Sequence, residues 1–67
     1  MLPGQYQFKT ESREFMEIIS GKLHLKLKND DYWKLISDSM GFITPKNSSF
    51  KVNVLELVNY TCSDFDN

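Results

Sequence analysis

The sequence has few of the features that cross-link a small protein or direct it to a membrane. Its 67 residues include a single cysteine, Cys62, which excludes an intrachain disulfide and a metal site made of cysteines alone. A lone cysteine also fits a reducing compartment, so we expect the protein in the cytoplasm. No apolar run approaches the ~20 residues that span a bilayer, and no charged-then-apolar leader opens the chain. We therefore expect no membrane partner.

An excess of charge of one sign is also missing. Eight basic residues stand against nine acidic ones, which gives a net charge of −1. Proteins that bind nucleic-acid polymers normally carry a basic excess on one face. We therefore expect no nucleic-acid polymer as a partner. The chain also has no repeat, linker or low-complexity segment that would divide it.

The composition is that of a small globular domain. The chain is 40% hydrophobic and has nine aromatic residues, which separates it from disordered sequences. We interpret residues 1–67 as one domain. A domain of this size buries only about 60% of its unfolded surface, so its core is small. A second copy is a common remedy, and we expect a homodimer or a higher homo-oligomer.

Apolar residues alternate with polar ones in several short segments. Such period-two runs, separated by turn residues, predict an antiparallel sandwich or barrel. The residues that share a face within each run are Tyr6, Phe8 and Thr10; Leu23, Leu25 and Leu27; Phe50, Val52 and Val54; and Val58, Tyr60 and Cys62.

Two further segments fit helical spacing as well as strand spacing. Residues 30–41 begin at an aspartate, place Tyr32, Leu35 and Ile36 on one stripe and stop at Gly41. Residues 12–20 can be interpreted in the same way. On periodicity alone, an α+β domain with one or two helices remains an alternative to the all-β interpretation.

Five motifs in register along the chain resemble the pyrimidine/purine nucleoside phosphorylase family, a group of small single-domain cupins. The resemblance runs from residue 1 to about residue 62. The motifs are PGQYQF, Glu14-x-Met16-x-x-Ile19-Ser20-Gly21-x-Leu23, Trp33, FITPKNSSF with its core Pro45-x-Asn47-Ser48-Ser49-Phe50, and Tyr60 with Cys62.

The resemblance implies an all-β, jelly-roll-like cupin barrel of antiparallel strands. Both ambiguous segments then become strands, and we predict a hairpin that turns at Ser20-Gly21. Family chains normally carry roughly twenty-five further residues before the position of Met1, enough for two or three strands of usual length. We therefore expect a barrel that is shortened at its amino-terminal side.

The resemblance also implies the activity. It is the phosphorolysis of purine and pyrimidine nucleosides to a free base and ribose 1-phosphate by a homodimer, with inorganic phosphate as co-substrate and no cofactor. Glu14 lies seven residues before Gly21, at the glutamate position of metal-binding cupins, while Phe50 stands at a position that a histidine holds there. One carboxylate cannot supply the three protein ligands of a typical catalytic metal, so no metal is expected. His24 should point away from the barrel interior.

Phosphorolysis requires donors for a phosphate dianion, a stacking surface for the base and negative charge near an oxocarbenium-like sugar. We assign phosphate binding to the turn residues Lys46, Asn47, Ser48 and Ser49. We assign base stacking to Tyr6, Phe8, Phe50 and Tyr60. Glu14 is the predicted catalytic residue, as an acceptor for the ribose hydroxyls and an electrostatic stabiliser.

Each assignment has a structural alternative. The turn can be an ordinary solvated turn, the aromatic residues can fill a core, and Glu14 can pair with a neighbouring cation. Trp33, Met16 and Cys62 we interpret as packing residues. Two alternative functions also remain open. One is a non-catalytic or inactive cupin module that binds a nucleoside-like small ligand, and the other is a structural interaction protein.

Overall fold

The structure, a computed structural model, describes residues 1–64 and is built from five strands. They are β1 (Gly4–Thr10), β2 (Glu14–Leu27), β3 (Lys34–Ser37), β4 (Gly41–Thr44) and β5 (Ser48–Asp64). No helix occurs among residues 1–64, and none of them therefore lies in a helix that could cross a membrane. All strand pairs are antiparallel, so the all-β prediction is confirmed and the α+β alternative is wrong.

The two longest strands, β2 and β5, pair with each other along most of their length. β1 pairs with residues 48–54 of β5 on the side away from β2. The other edge of β2 carries two short strands, because β4 pairs with residues 14–17 and β3 with residues 22–25. The resulting order is β1-β5-β2-β3, with β4 beside β3 along the same edge of β2.

The sheet folds over on itself at the middle of β2. Phe42 pairs with Met16, and Phe50 pairs with Leu27, eleven residues further along β2. A straight strand would separate those positions by about 36 Å. The ring centroids of Phe42 and Phe50 are nevertheless only 5.9 Å apart. The two ends of β2 must therefore face each other across one core.

This fold divides the sheet into two parts. The β1 half consists of β1, β3, residues 22–27 of β2 and residues 48–56 of β5. The β4 half consists of β4, residues 14–18 of β2 and residues 59–64 of β5. Between them, register shifts from Ile18 to Leu23 mark a corner in the sheet.

The predicted hairpin at Ser20-Gly21 is wrong, because β2 continues through both residues. Gly21 instead occupies the corner, with a φ of +102°. A Cβ placed there would lie 2.2 Å from the carbonyl oxygen of Leu57, so no residue with a side chain fits without moving the backbone. A β-bulge of this kind adds a residue to one strand and bends it. The positive φ and the close approach of Leu57 therefore explain the glycine, and no turn is needed.

The bulge also explains a change of phase in the sequence. Before the corner the buried side chains have even numbers, Met16 and Ile18, and after it they have odd numbers, Leu23 and Leu25. One extra residue in the strand restores the inward direction on both sides. His24 lies on the face opposite Leu23 and Leu25, as predicted from the alternation.

The core combines side chains from both halves. Its buried members are Met16, Ile18, Leu23, Leu25, Ile36, Phe42, Phe50, Val52, Val54 and Val58. The predicted inward faces of β2 and β5 are confirmed for Leu23, Leu25, Phe50, Val52 and Val54, and so is the packing role of Met16. The same prediction was wrong for Trp33, which is 43% exposed, and for Cys62, which is also exposed.

Candidate functional site

Aromatic rings form a continuous row on the inner face. Phe8 stacks on Phe50 at 5.1 Å between centroids because β1 and β5 place the two residues opposite each other. Tyr6 continues the row at 6.3 Å from Phe8. Three of the four predicted stacking residues are thus brought together.

Only part of this row is open to a ligand. Phe50 is 3% exposed, and Phe42 packs against it edge-on, so Phe50 belongs to the core. Tyr6 and Phe8 are half-buried. The Tyr6 hydroxyl donates a hydrogen bond of 2.7 Å to the carbonyl oxygen of Leu2. The sequence prediction missed Phe42, whose alternation with Ile43 and Thr44 in GFIT was a usable pattern.

Tyr60 lies apart from the aromatic row. It pairs with Ile18 in the β4 half and is 41% exposed. None of the ring contacts among residues 1–64 includes it. Its predicted role in base binding remains a prediction.

Glu14 begins β2 on the inner side, in the same alternation as Met16 and Ile18, and is half-buried. Its neighbours across the sheet are Thr44 on one side and Asp64 on the other. The Thr44 hydroxyl donates a 3.4 Å hydrogen bond to the backbone carbonyl of Glu14. The Glu14 carboxylate takes no part in this hydrogen bond and lies at the rim of the core.

The electrostatics of Cys62 show where the Glu14 carboxylate acts. Partial burial of the thiol is the largest influence that raises the pKa of Cys62, and the charge of Glu14 comes next. A hydrogen bond to Glu14 and the charge of Asp64 raise the pKa of Cys62 further. The charges of Glu14 and Asp64 therefore each favour the neutral form of the Cys62 thiol.

β4 and β5 are joined at residues 45–47, and the 45–49 turn denotes these residues together with Ser48 and Ser49, the first two residues of β5. Asn47 has a φ of +51°, in the left-handed region that asparagine tolerates better than most residues. Lys46 and Asn47 are exposed, whereas Ser48 and Ser49 are half-buried. Because Ser48 and Ser49 are successive residues of a strand, their side chains point to opposite faces. The four predicted phosphate ligands thus lie together in the chain but do not all face one point.

Thr10, the last residue of β1, is hydrogen-bonded to both ends of this turn, a role that the sequence did not reveal. Its buried hydroxyl donates to the carbonyl oxygen of Pro45 and accepts a 3.0 Å hydrogen bond from the amide of Ser48. The Ser48 amide is therefore already occupied and is not free for an anion. A threonine at the end of an alternating strand is too common a pattern to have signalled this contact.

The carboxylate and the turn lie at the same end of the fold. Glu14 pairs with Thr44, and the turn begins at the next residue. The Thr10 hydroxyl binds the end of β1 to the same turn. The Phe8–Phe50 pair is two residues away from the Thr10–Ser48 pair in the β1–β5 ladder. A carboxylate, a short polar turn and an aromatic wall are thus assembled around one rim. Within residues 1–64, no three histidine, cysteine, aspartate or glutamate side chains lie close enough together to hold a metal ion.

Comparison with known proteins relates the sequence of this chain to one family. The sequence model of the family described as "Pyrimidine/purine nucleoside phosphorylase" matches residues 1–64. A curated protein of that name from Geobacter sulfurreducens is 48% identical over 63 residues, which are 94% of this chain and 61% of the relative. The chain thus spans about three fifths of the length of this curated relative.

Solved structures show the same architecture. A DUF1255 protein of unknown function from Acinetobacter sp. matches with a TM-score of 0.90 at 33% identity, over 96% of this chain and 63% of its own. A DUF861 family protein from Thermotoga maritima matches with a TM-score of 0.83, over 97% of this chain and 73% of its own. At 18% identity this second likeness shows the fold alone. The expected cupin-type antiparallel fold is confirmed.

Proposed function

The chain belongs to the pyrimidine/purine nucleoside phosphorylase family, and we propose that it splits purine and pyrimidine nucleosides with phosphate into a free base and ribose 1-phosphate. The observation that carries this proposal is the family match along residues 1–64. The arrangement of Glu14, the 45–49 turn and the aromatic row around one rim supports it.

In the proposed reaction, a phosphate oxygen forms a bond to C1′ of the ribose while the bond from C1′ to the base nitrogen breaks. The base leaves with the electron pair and takes up a proton. The sugar passes through an oxocarbenium-like state, which the Glu14 carboxylate stabilises by its charge while it accepts a hydrogen bond from a ribose hydroxyl. Glu14 is suited to this because it is half-buried on the inner side, in the same alternation as Met16 and Ile18.

The remaining assignments complete the site. Lys46 and Asn47, at the exposed tip of the turn, hold the phosphate together with the Ser48 hydroxyl, which shares the inner face with Phe50, while Ser49 points to the outer face. Tyr6 and Phe8 offer the accessible stacking surface, with Phe50 as its buried support and Tyr60 on the opposite half. Stacking is tolerant of base identity, which suits a broad substrate range. Phosphate is the co-substrate, and the proposal requires no metal or other cofactor.

A binding module without turnover is the second candidate. The observation that favours it is that Phe50 and the Ser48 amide, both part of the predicted site, are used by the fold itself. Such a module would retain the rim and bind a nucleoside-like ligand. Ligand binding would then raise the midpoint of thermal unfolding without base release.

The experiment is to incubate the purified protein with uridine, adenosine or guanosine, with and without phosphate, and to measure the free base. Release that depends on phosphate is the expected result. Absence of release at high protein concentration would overturn the proposed activity for this chain. A thermal shift with nucleoside in that same sample would then favour the binding module.

We also propose that the chain works as a homodimer in the cytoplasm. Ile19, Leu55 and Leu57 are exposed near the corner of the sheet. Beyond Val58, which bonds to Met1, residues 59–64 of β5 pair only with β2 within the described part of the chain. An apolar patch and a strand edge both favour association. Sedimentation equilibrium tests this, and a monomer at high protein concentration would contradict it.

A further inference from the structure

The outer face of the β1 half carries a cavity whose lining shares only Tyr6 with the proposed active site around Glu14. It has a volume of about 230 Å³. Its lining residues are Gln5, Tyr6, Gln7, Trp33, Lys51 and Val52. Tyr6 and Val52 are a directly opposed pair whose side chains point to the inner face, so this pair forms the floor. We call this cavity the outer pocket.

Strand pairing sets polar side chains in a row across the outer pocket. Lys51 of β5 lies opposite Gln7 of β1 on one side and opposite Lys26 of β2 on the other. In the next row Asn53 lies between Gln5 and His24. Directly opposed residues share one face of the sheet, so all of these side chains stand on the outer side.

The opposed lysines are the unusual feature of this row. Like charges directly opposite each other in a sheet are destabilising. Within residues 1–64, neither Lys26 nor Lys51 forms an ion pair, whereas Lys22 pairs with Glu56 and Lys34 with Asp30. Strand pairing therefore places two lysines directly opposite each other, and neither is paired with an acid among residues 1–64. A bound dianion would relieve the repulsion and accept hydrogen bonds from both.

Trp33 supplies an aromatic wall beside the lysines. The Lys26 ammonium lies 6.0 Å from the centroid of the Trp33 ring, at the outer limit for a cation–π attraction. A contact that long is weak, so the lysine can turn toward an anion at little cost. Trp33 is partly exposed, so its indole ring can stack on a planar base.

We propose that the outer pocket binds a nucleoside monophosphate. Its base stacks on Trp33, the amides of Gln5 and Gln7 bond to the edge of the base, and its phosphate lies between Lys26 and Lys51. The volume is below the ~300 Å³ of a typical small-molecule pocket, which fits one nucleotide better than a polymer. Binding here is separate from the proposed phosphorolysis, because Glu14 stands on the inner face.

Trp33 makes the test direct, since it is the only tryptophan in the chain and its fluorescence reports on the outer pocket. The titrants are AMP and UMP, the matched nucleosides adenosine and uridine, and inorganic phosphate. We expect saturable quenching by the monophosphates at concentrations at least about tenfold lower than by the nucleosides, and no quenching by phosphate alone. Equal quenching by nucleoside and monophosphate would overturn the proposal.

Variants separate this site from the rest of the molecule. Lys51→Gln should weaken AMP binding by at least about fivefold, because it removes one of the two cations. Lys22→Gln is the matched control, since Lys22 is an exposed lysine of β2 outside the outer pocket, and it should leave AMP binding unchanged. Equal loss in both variants, or no loss in Lys51→Gln with a native circular dichroism spectrum, would contradict the assignment.

Two further measurements complete the test. Glu14→Gln should leave AMP binding at Trp33 unchanged even if it abolishes phosphorolysis, so failure of one proposal is distinguishable from failure of the other. A single-stranded oligonucleotide is the last titrant. If it quenches Trp33 at far lower concentration than AMP does, the site takes a polymer and the mononucleotide proposal is wrong.

Discussion

The two ends of β5 have the same alternating sequence pattern but different surroundings. Phe50, Val52 and Val54 are buried, whereas Tyr60 and Cys62, which continue the same alternation, are exposed. The first group lies between β1 and β2, and the second has only β2 as a neighbour among the described residues. Alternation therefore determines which face a side chain occupies, but the neighbouring strands determine whether that face is covered.

The largest expected effect comes from the corner that separates the two halves. Gly21→Val should cost more than about 4 kcal/mol of folding free energy, since the side chain meets the backbone of Leu57 and the φ is positive. A domain of this size has a stability of only about 3–5 kcal/mol, so we expect an unfolded protein by circular dichroism.

Gly41→Ala is the matched control for Gly21→Val. A Cβ at Gly41 would meet the side-chain ring of Phe15 and would lie 3.1 Å from the carbonyl oxygen of Met16, a milder approach than the 2.2 Å from the carbonyl oxygen of Leu57 at Gly21. This variant should remain folded with a lower midpoint of denaturation. If Gly21→Val keeps the midpoint of the parent protein, the corner does not need a glycine.

Two alanine substitutions compare the ends of β5 directly. Val52→Ala removes a side chain that is fully buried and should destabilise the fold by about 2–3 kcal/mol. Tyr60→Ala, on the exposed end, should cost less than about 1 kcal/mol although it deletes a larger group. Urea denaturation measures both. Similar losses would mean that the far end of β5 is covered in solution.

Glu14→Gln tests the chemistry of the β4 half without disturbing the β1 half. Loss of the negative charge should lower phosphorolytic turnover at least about tenfold, equivalent to about 1.4 kcal/mol of transition-state stabilisation. The urea midpoint should stay within error, because Glu14 is at the rim and not in the core. Unchanged turnover would remove Glu14 from the mechanism.

The smallest expected effect concerns Cys62 at the exposed end of β5. Its pKa is raised by partial burial and by Glu14, so at a given pH below that pKa less of it is the reactive thiolate. Glu14→Gln removes one of the causes, lowers the pKa and should speed alkylation at pH 8 roughly two- to threefold. An unchanged rate in the variant would show that Glu14 does not act on the thiol.

Much of the strand pattern could be predicted from the residues themselves. Alternation gave the inner faces of β1, β2 and β5, because the side-chain period of a strand is two. The resemblance to a known family resolved the segments that also fitted helical spacing. Within residues 30–41 only β3 and the first residue of β4 are in strands, and four-residue strands are too short for a period to be distinctive.

The errors arose where distant segments meet. Gly21 between two alternating runs looks like a hairpin turn, and only the approach of Leu57 shows that the strand continues. Trp33 was expected to pack inside, but it lies before β3 on the outer side, next to Lys26. The support that Thr10 gives to Pro45 and Ser48 depends on a contact across thirty-five residues or more, which no local pattern encodes.

The change of phase at Gly21 makes the fold sensitive to chain length as well as to residue type. Inserting one residue between Ile19 and Lys22 while the bulge remains would turn Leu23 and Leu25 outward, and His24 and Lys26 would enter the core. A single added codon there would thus exchange the inside and the outside of half the protein, whereas a single missing codon would remove the bulge and its bend. Evolution can vary many side chains around this corner, but insertions and deletions within it should be the least tolerated changes in the chain.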